Sequence, residues 1–464
     1  MENTGTKKLE FYGGIIGAVL PMCLIFIGIM LLVFAGYTSA KTFWCAAVGA
    51  LMISYLLAKD KDYFGEVVMK GLTNHILAVM ILAFLLAGIT AELLKDGHLV
   101  DGLIWASAQI NLGGSFIPAL AFITCVIIST CTGTTGGTVS AVTPVMFPVG
   151  VALGCHPGLV MGAILSGSFF GDNLAPVSDT TIASAYTQET DVPIVVRSRL
   201  KYSIIAGILA LIAYIILGFN MTSTAPANLA VNASSAKSLL LLLSPVVLII
   251  AMVRGAGLVS ALLACNIFTI VLSLVCGLVK LDTLINPKGV IVAGIESMLF
   301  IIVFSIFIFA FVEIMNASGV FDKFVNSLAK RVTNVRQAEF LGGIMVCVIT
   351  LMTAAATASI TIVGPVMRKI FKHYHIARDR GANILDGLAC GTGGVCFWNL
   401  SCLSAYALAV NTGAVGEDFS IAAAMPYSFH CIFLIFVYFF AILTGFGRRF
   451  EEVPEEQESS ACHE

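Results

Sequence analysis

Two long apolar stretches, residues 115–188 and 339–412, are each interrupted by clusters of Gly, Thr, Ser and Asn. Inside a bilayer no water is available to the backbone, so non-helical segments survive at membrane depth only where they are buried in protein or line a cavity. A membrane chain with two such interruptions has to fold around an internal polar site. Composition places this chain in a membrane: hydrophobic residues make up 58% and charged residues 11% of its 464 residues. A soluble globular chain carries about 25% charged residues. Uninterrupted apolar runs able to cross a ~30 Å hydrocarbon core lie at 13–36, 42–58, 76–91, 200–218, 238–253, 256–279, 289–312 and 421–445. The first is longer than a signal-peptide core and no small-residue cleavage site follows it, so a retained span is expected.

Several function classes drop out. A net charge of −2 supplies no basic field for nucleic acid. The 13 cysteines are scattered, without CxxC or zinc spacing, and read as small core residues. No HExxH, GxSG or GxGD constellation is present, so the chain is not expected to be an enzyme and calls for no cofactor.

The interrupted stretches resemble each other. Pro144-Val145-Met146 returns as Pro365-Val366-Met367, and Glu92 and Asp101 return as Glu313 and Asp322, all displaced by 221. Further on, Asn173-Leu174 and Ser178 match Asn399-Leu400 and Ser404 at a displacement of 226. An internal repeat with a five-residue insertion accounts for both values. The expected units are 1–218, with a scaffold at 13–91, a hairpin at 115–153 and a broken helix at 157–188, and 219–464, with a scaffold at 238–312, a hairpin at 339–367, a broken helix at 382–412 and a Glu-rich polar tail at 450–464.

Loop charge orients the halves, because short cytoplasmic loops carry the excess of Lys and Arg. The segment after Met146 is nearly uncharged, whereas that after Met367 carries Arg368, Lys369, Lys372, Arg378 and Arg380. Equivalent loops therefore lie on opposite sides, which makes the repeats inverted. Lys7, Lys8, Arg197, Arg199, Lys201, Arg254, Lys323, Lys330, Arg331, Arg336, Arg448 and Arg449 all fall inside on this scheme, with both termini cytoplasmic. The expected fold is an all-α polytopic membrane protein of about ten spans, two of them discontinuous, plus two re-entrant hairpins whose tips meet near the midplane. Residues 317–336 carry an amphipathic pattern suited to an interfacial helix, and Asn232-Ala233-Ser234 forms a glycosylation sequon.

Chemistry should lie where tips meet breaks. Half-helix carbonyls with Thr and Ser hydroxyls and Asn amides make the oxygen shell that Na+ prefers. The first half offers Thr134, Thr135, Thr138, Ser140, Asn173 and Ser178, and the second offers Thr353, Thr357, Ser359, Thr361, Asn399 and Ser404. Asp172 and Asp179 are the only acids between Asp101 and Glu189, and on the 226 register they face Trp398 and Ala405, leaving the second half neutral. An acid at membrane depth is a functional-site hypothesis by default, so Na+ is placed at Asp172, Asn173 and Asp179. Burial disfavours the charged form of a carboxyl group, which lets Na+ and H+ compete for one site. No Lys or Arg occurs between Lys95 and Arg197 or between Arg380 and Arg448. That lack of a cationic fork favours a cation, or an amine-bearing solute, as cargo.

At this point the residues carry a family resemblance. The run Gly171-Asp172-Asn173-Leu174-Ala175-Pro176-Val177-Ser178-Asp179-Thr180-Thr181 resembles the GDxxSPxSDTT signature of the NhaC-type sodium/proton antiporter family. Gly133-Thr134-Thr135-Gly136-Gly137-Thr138 is similar to that family's hairpin tip, and Trp398-Asn399-Leu400-Ser401-Cys402 to its Trp-Asn motif. The resemblance implies an inner-membrane secondary transporter of the ion-transporter superfamily, often a homodimer, moving by an elevator-like displacement. Ala175 stands where Ser is usual, Phe397 where Pro often precedes Trp-Asn, and Gly136 where a bulky residue is common. The extra room makes Gly136 and Trp398 candidates for a pocket that admits a small organic substrate. Two readings follow: a Na+/H+ antiporter first, and a Na+-coupled carrier or exchanger of an amino acid or organic acid second.

Overall fold

The computed structural model describes residues 8–34, 43–99, 101–102, 105, 114–222, 233–416 and 419–451. Asn232 of the sequon and residues 452–464 of the polar tail lie outside them. The regular elements of the described residues are all helices, with two isolated bridges, Phe11 to Ala58 and Ile376 to Phe450, and no strand. Among them, eight helical stretches are long and apolar enough to cross a membrane, or nine if the pair Ile421–Tyr427 and Phe429–Thr444, bent by 51°, forms one span. Three shorter apolar helices are Ile15–Ile25, Trp44–Leu57 and Lys237–Met252. This count and the ten expected spans are different quantities, because three arms of the expected hairpins, within Gly114–Thr132, Thr135–Ala152 and Val335–Thr353, pass the same test of length and apolarity.

Each interrupted stretch resolves into a helical hairpin followed by a broken helix. In the first half, helix Ile117–Thr132 turns through Gly133 and Thr134 into helix Thr135–Ala152. In the second, Val335–Thr353 turns through Ala354 and Ala355 into Ala356–His373. Gly133 takes the left-handed conformation at φ 67° and Ala354 the same at φ 53°. A glycine adopts it freely, whereas for alanine it costs about 1–2 kcal/mol. The broken helices are Pro157–Leu174 with Asp179–Thr187, and Arg378–Val395 with Leu400–Asn411.

Both hairpin turns and both breaks stand 221 residues apart, Gly133 to Ala354 and Ser178 to Asn399. The backbone therefore keeps a single register and contains no five-residue insertion. Asn399 occupies the place of Ser178, the residue that precedes the second half-helix, and its side chain accepts from Ser401 N as a helix cap does. The match of Asn173 to Asn399 is one of letters, not of position.

Close approach explains the glycines. Helix Ile117–Thr132 packs along Pro157–Leu174, and a Cβ on Gly171 would stand 2.5 Å from Ser129 Cβ and 2.6 Å from Thr130 N. The halves interlock crosswise: Thr135–Ala152 packs on Leu400–Asn411, and Ala356–His373 on Asp179–Thr187. A second group of helices, 61–72, 75–96, 258–275 and 290–317, packs together beside them. Helix Val320–Ala329 buries Val320, Phe321 and Val325, as an amphipathic surface helix does. The twelve cysteines among the described residues are free, seven of them buried.

Several charges assigned to loops are instead buried. Arg199 lies inside helix Val192–Met221 and Arg380 inside Arg378–Val395, both enclosed. Arg380 pairs with the buried Glu339 at 2.8 Å, and Arg448 reaches the same carboxylate at 2.7 Å. At the surface, Arg368 holds the exposed Glu189 carboxyl below the usual carboxylate range. Buried charges persist when paired and bonded, which loop-charge counting does not register.

Replacing Gly171 by Val forces the two close helices apart, at a cost of about 1–3 kcal/mol. A clear drop in melting temperature in detergent, absent for Gly136→Ala where a Cβ meets open space, is the expected outcome.

Candidate ion-binding site

The first break is built by its own sequence. Pro176 has no N–H to continue the helix, and the chain turns through Ala175–Ser178 before Asp179 opens a new helix. Against this turn stands the first hairpin tip: a Cβ on Gly133 would lie 3.0 Å from the Val177 carbonyl carbon. The tip therefore needs glycine for close approach as well as for its dihedral.

Asp172, only 6% exposed, sits in the last turn before the break. Thr135 Oγ1, from the first turn after the hairpin tip, donates to Asp172 Oδ2 at 2.7 Å. Asp179 and Asp386 lie within electrostatic range of this carboxyl group. Asp172 Oδ1 is buried with no hydrogen-bond partner among the described residues. A buried acceptor without a donor is costly and offers its lone pairs to a proton or a cation.

Asp179 is more exposed and joins the two halves. Its Oδ1 accepts from Thr180 N at 3.0 Å, and its Oδ2 from Thr357 Oγ1 of the second hairpin at 2.6 Å. Ser178 and Thr180 share a hydroxyl hydrogen bond of 2.9 Å. The second break meets its own hairpin in the same manner: Asn399 Nδ2 donates to Ala354 O at 3.0 Å and Trp398 Nε1 to Leu351 O at 2.9 Å.

Other candidates turn elsewhere. Asn173 faces helix Val192–Met221, where Ser203 Oγ donates to its Oδ1 at 2.7 Å and Arg199 donates to its carbonyl. Thr134 accepts from Gly137 N as a cap, and Thr138 and Ser140 donate back to Thr134 O and Gly136 O of their own helix. Thr353 donates to Ile349 O and Ala355 O, Ser359 to Ala356 O, and Thr361 to Thr357 O. Such local bonds are a common alternative for these side chains. Ser404 is buried and its Oγ has no partner among the described residues. The expected second-half cluster therefore divides: Thr357 joins the acidic site and Asn399 ties its own hairpin.

One acid lies where a neutral half was expected. Asp386, in the helix before the second break, is fully enclosed and ion-paired with Arg199. Thr181 Oγ1 donates to Asp386 Oδ2 at 3.2 Å and Cys390 Sγ to Oδ1 at 3.1 Å. Its signal in the sequence is an acid inside the apolar run 382–412, which the 226 register, pairing Asp172 with Trp398 and Asp179 with Ala405, does not single out.

Half-helices that end against one another at a buried carboxylate are the architecture of a secondary transporter. Comparison with known proteins agrees. Residues 12–219 and 220–446 match the Na+/H+ antiporter family, and the chain belongs to that family. It is 34% identical over 170 residues to the malate-2H+/Na+-lactate antiporter of Bacillus subtilis, covering 37% of this chain and 36% of that one. It is 26% identical over 215 residues to the Na+/H+ antiporter NhaC of Alkalihalophilus pseudofirmus, covering 45% and 46%. It is 27% identical over 159 residues to the arginine/ornithine antiporter ArcD of Halobacterium salinarum, covering 34% and 32%. The matched stretches thus span less than half the length of these relatives.

Thr357→Val removes the hydrogen bond to Asp179 without burying a new polar atom. Thermal stability should change by no more than about 1 kcal/mol, while the apparent KM for Na+ tested as cargo in proteoliposomes should rise several-fold.

Proposed function

We propose that the protein is a Na+/H+ antiporter in which Na+ and H+ compete for the carboxylates of Asp172 and Asp179. The observation that carries the reading is the unpartnered Oδ1 of Asp172, buried beside a hairpin tip whose Thr135 already satisfies the other oxygen. An anionic site of this kind binds Na+ when ionised and is emptied of it when protonated, which is the minimum needed for exchange. Asp179, tied to Thr357 across the halves, couples occupancy to the relation between the two repeats. Membership of an antiporter family supports the ions.

In this reading the repeats are inverted, both termini face the cytoplasm of a bacterial-type cell, and a homodimer supports an elevator-like movement. The side chain of Asn173 is held by Ser203, so its contribution to the Na+ shell is positional. A second reading, exchange of a small organic acid or amino acid together with Na+, is favoured by the open space at Gly136 and by the cargo named for the Bacillus and Halobacterium relatives.

The test is a Na+ jump across proteoliposomes loaded with a pH dye and no other solute. Sodium-dependent proton movement is expected, reduced at least about a hundredfold in Asp172→Asn and Asp179→Asn, since each deletes a charge at the site of ion binding. Full activity in either variant would remove that residue from the mechanism. Silence from folded wild-type protein, followed by flux when malate, lactate or arginine is added, would establish the second reading instead.

A further inference from the structure

The ion site accounts for Asp172 and Asp179 and leaves a buried charge pair beside it without a role. Arg199 and Asp386 are both 0% exposed, in a region where ionisable groups are expensive and mark function. Arg199 spends its donors on groups from both sides of the first break and from the second half. It donates to the main-chain oxygen of Asn173, in the last turn before the break, and to Thr181 Oγ1 at 3.0 Å, in the first turn after it. It also pairs with Asp386, and its Nε reaches Asn383 Oδ1 at 3.3 Å, both on helix Arg378–Val395. One turn along its own helix, Ser203 holds the Asn173 side chain. Helix Val192–Met221 therefore grips Asn173 twice, by main chain and by side chain.

A guanidinium suits this task because its donors are fixed in a planar fork, whereas an ammonium is a point charge on a flexible stem. Asp386 balances the positive charge, so the acids left to meet a cargo cation are Asp172 and Asp179.

We propose that Arg199, neutralised by Asp386, is the positioning residue of the ion site. It sets the end of Pro157–Leu174 and the start of Asp179–Thr187 relative to each other and to Arg378–Val395, and so decides where the oxygens of Asp172, Ser178 and Asp179 stand. This rests on the cation-exchange reading above. A pair that only stabilised the fold would lower the melting temperature when altered and leave the Na+ dependence of the folded protein unchanged.

The experiment compares full-length wild type with Arg199→Lys, Thr181→Val and the double variant Arg199→Gln/Asp386→Asn. The double variant leaves no buried charge unpaired, the condition under which such a pair is replaceable without loss of fold. Two readouts are taken: Na+-driven proton movement in proteoliposomes, and amide hydrogen exchange across residues 173–182. In all three variants the apparent KM for Na+ should rise about tenfold or more, with maximal rate within about twofold of wild type. Exchange at 173–182 should speed up while the rest of the chain keeps wild-type protection. A double variant with wild-type KM, or folded Arg199→Lys and Thr181→Val proteins with unchanged exchange at 173–182, would overturn the assignment. Should wild type itself show no Na+-driven proton movement, the cation reading fails, and the exchange data at 173–182 alone decide whether Arg199 positions the break.

Discussion

Every broken helix in a membrane leaves backbone groups that the lipid cannot satisfy, and the polar residues of this protein are arranged around that cost. Side chains tie the breaks at Ala175–Ser178 and Cys396–Asn399 to the rest of the fold, from outside at the first and from the break's own residues at the second. Arg199 takes the carbonyl of Asn173, while Asn399 and Trp398 take the carbonyls of Ala354 and Leu351 at the second hairpin. Glycines at 133 and 171 bring the first hairpin close enough for its tip to seal the first break. Once these groups are paired, the one buried carboxylate oxygen left over at the first break, on Asp172, becomes the chemically available atom.

The two interrupted stretches share the spacing of turn and break and differ in charge. The helix ends at the hairpin turns and at the breaks follow one shift of 221 residues, yet on that shift Asp172 falls on Gly393, Asp179 on Leu400 and Asp386 on Leu165. The pair of acids at the first break has no counterpart at the second, and the acid of the second half is cancelled by Arg199. A common scaffold thus carries a one-sided site. Its contact with the other half runs through Thr357 to Asp179 and through Thr181 to Asp386.

Much of this was legible beforehand because the signals are local. Tracts such as Gly133 to Thr138 and Gly171 to Thr181 combine helix-breaking residues with oxygen donors inside apolar runs, and the structure turns the chain at both. Asp172 stands out as an acid where charge is expensive. What escaped was relational. Arg199 sits among Arg197 and Lys201 and reads as one of a cytoplasmic cluster, although helical geometry points it inward to Asp386, 187 positions further on. The hydroxyls of Thr138, Thr353 and Ser359 look like ligands by composition, yet a helix offers each a nearer acceptor on its own backbone.

The amino-acid sequence by itself determined the membrane class, the two hairpin-and-break stretches, the family, and the two acids of the first break, because each follows from composition or from residues adjacent in the chain. Only the tertiary structure decided which of those groups meet. The pairing of Thr135 with Asp172, of Thr357 with Asp179 and of Arg199 with Asp386 joins segments distant in sequence. Side-chain partners there are chosen by helix packing and by the need to satisfy buried polar atoms, which no local pattern encodes.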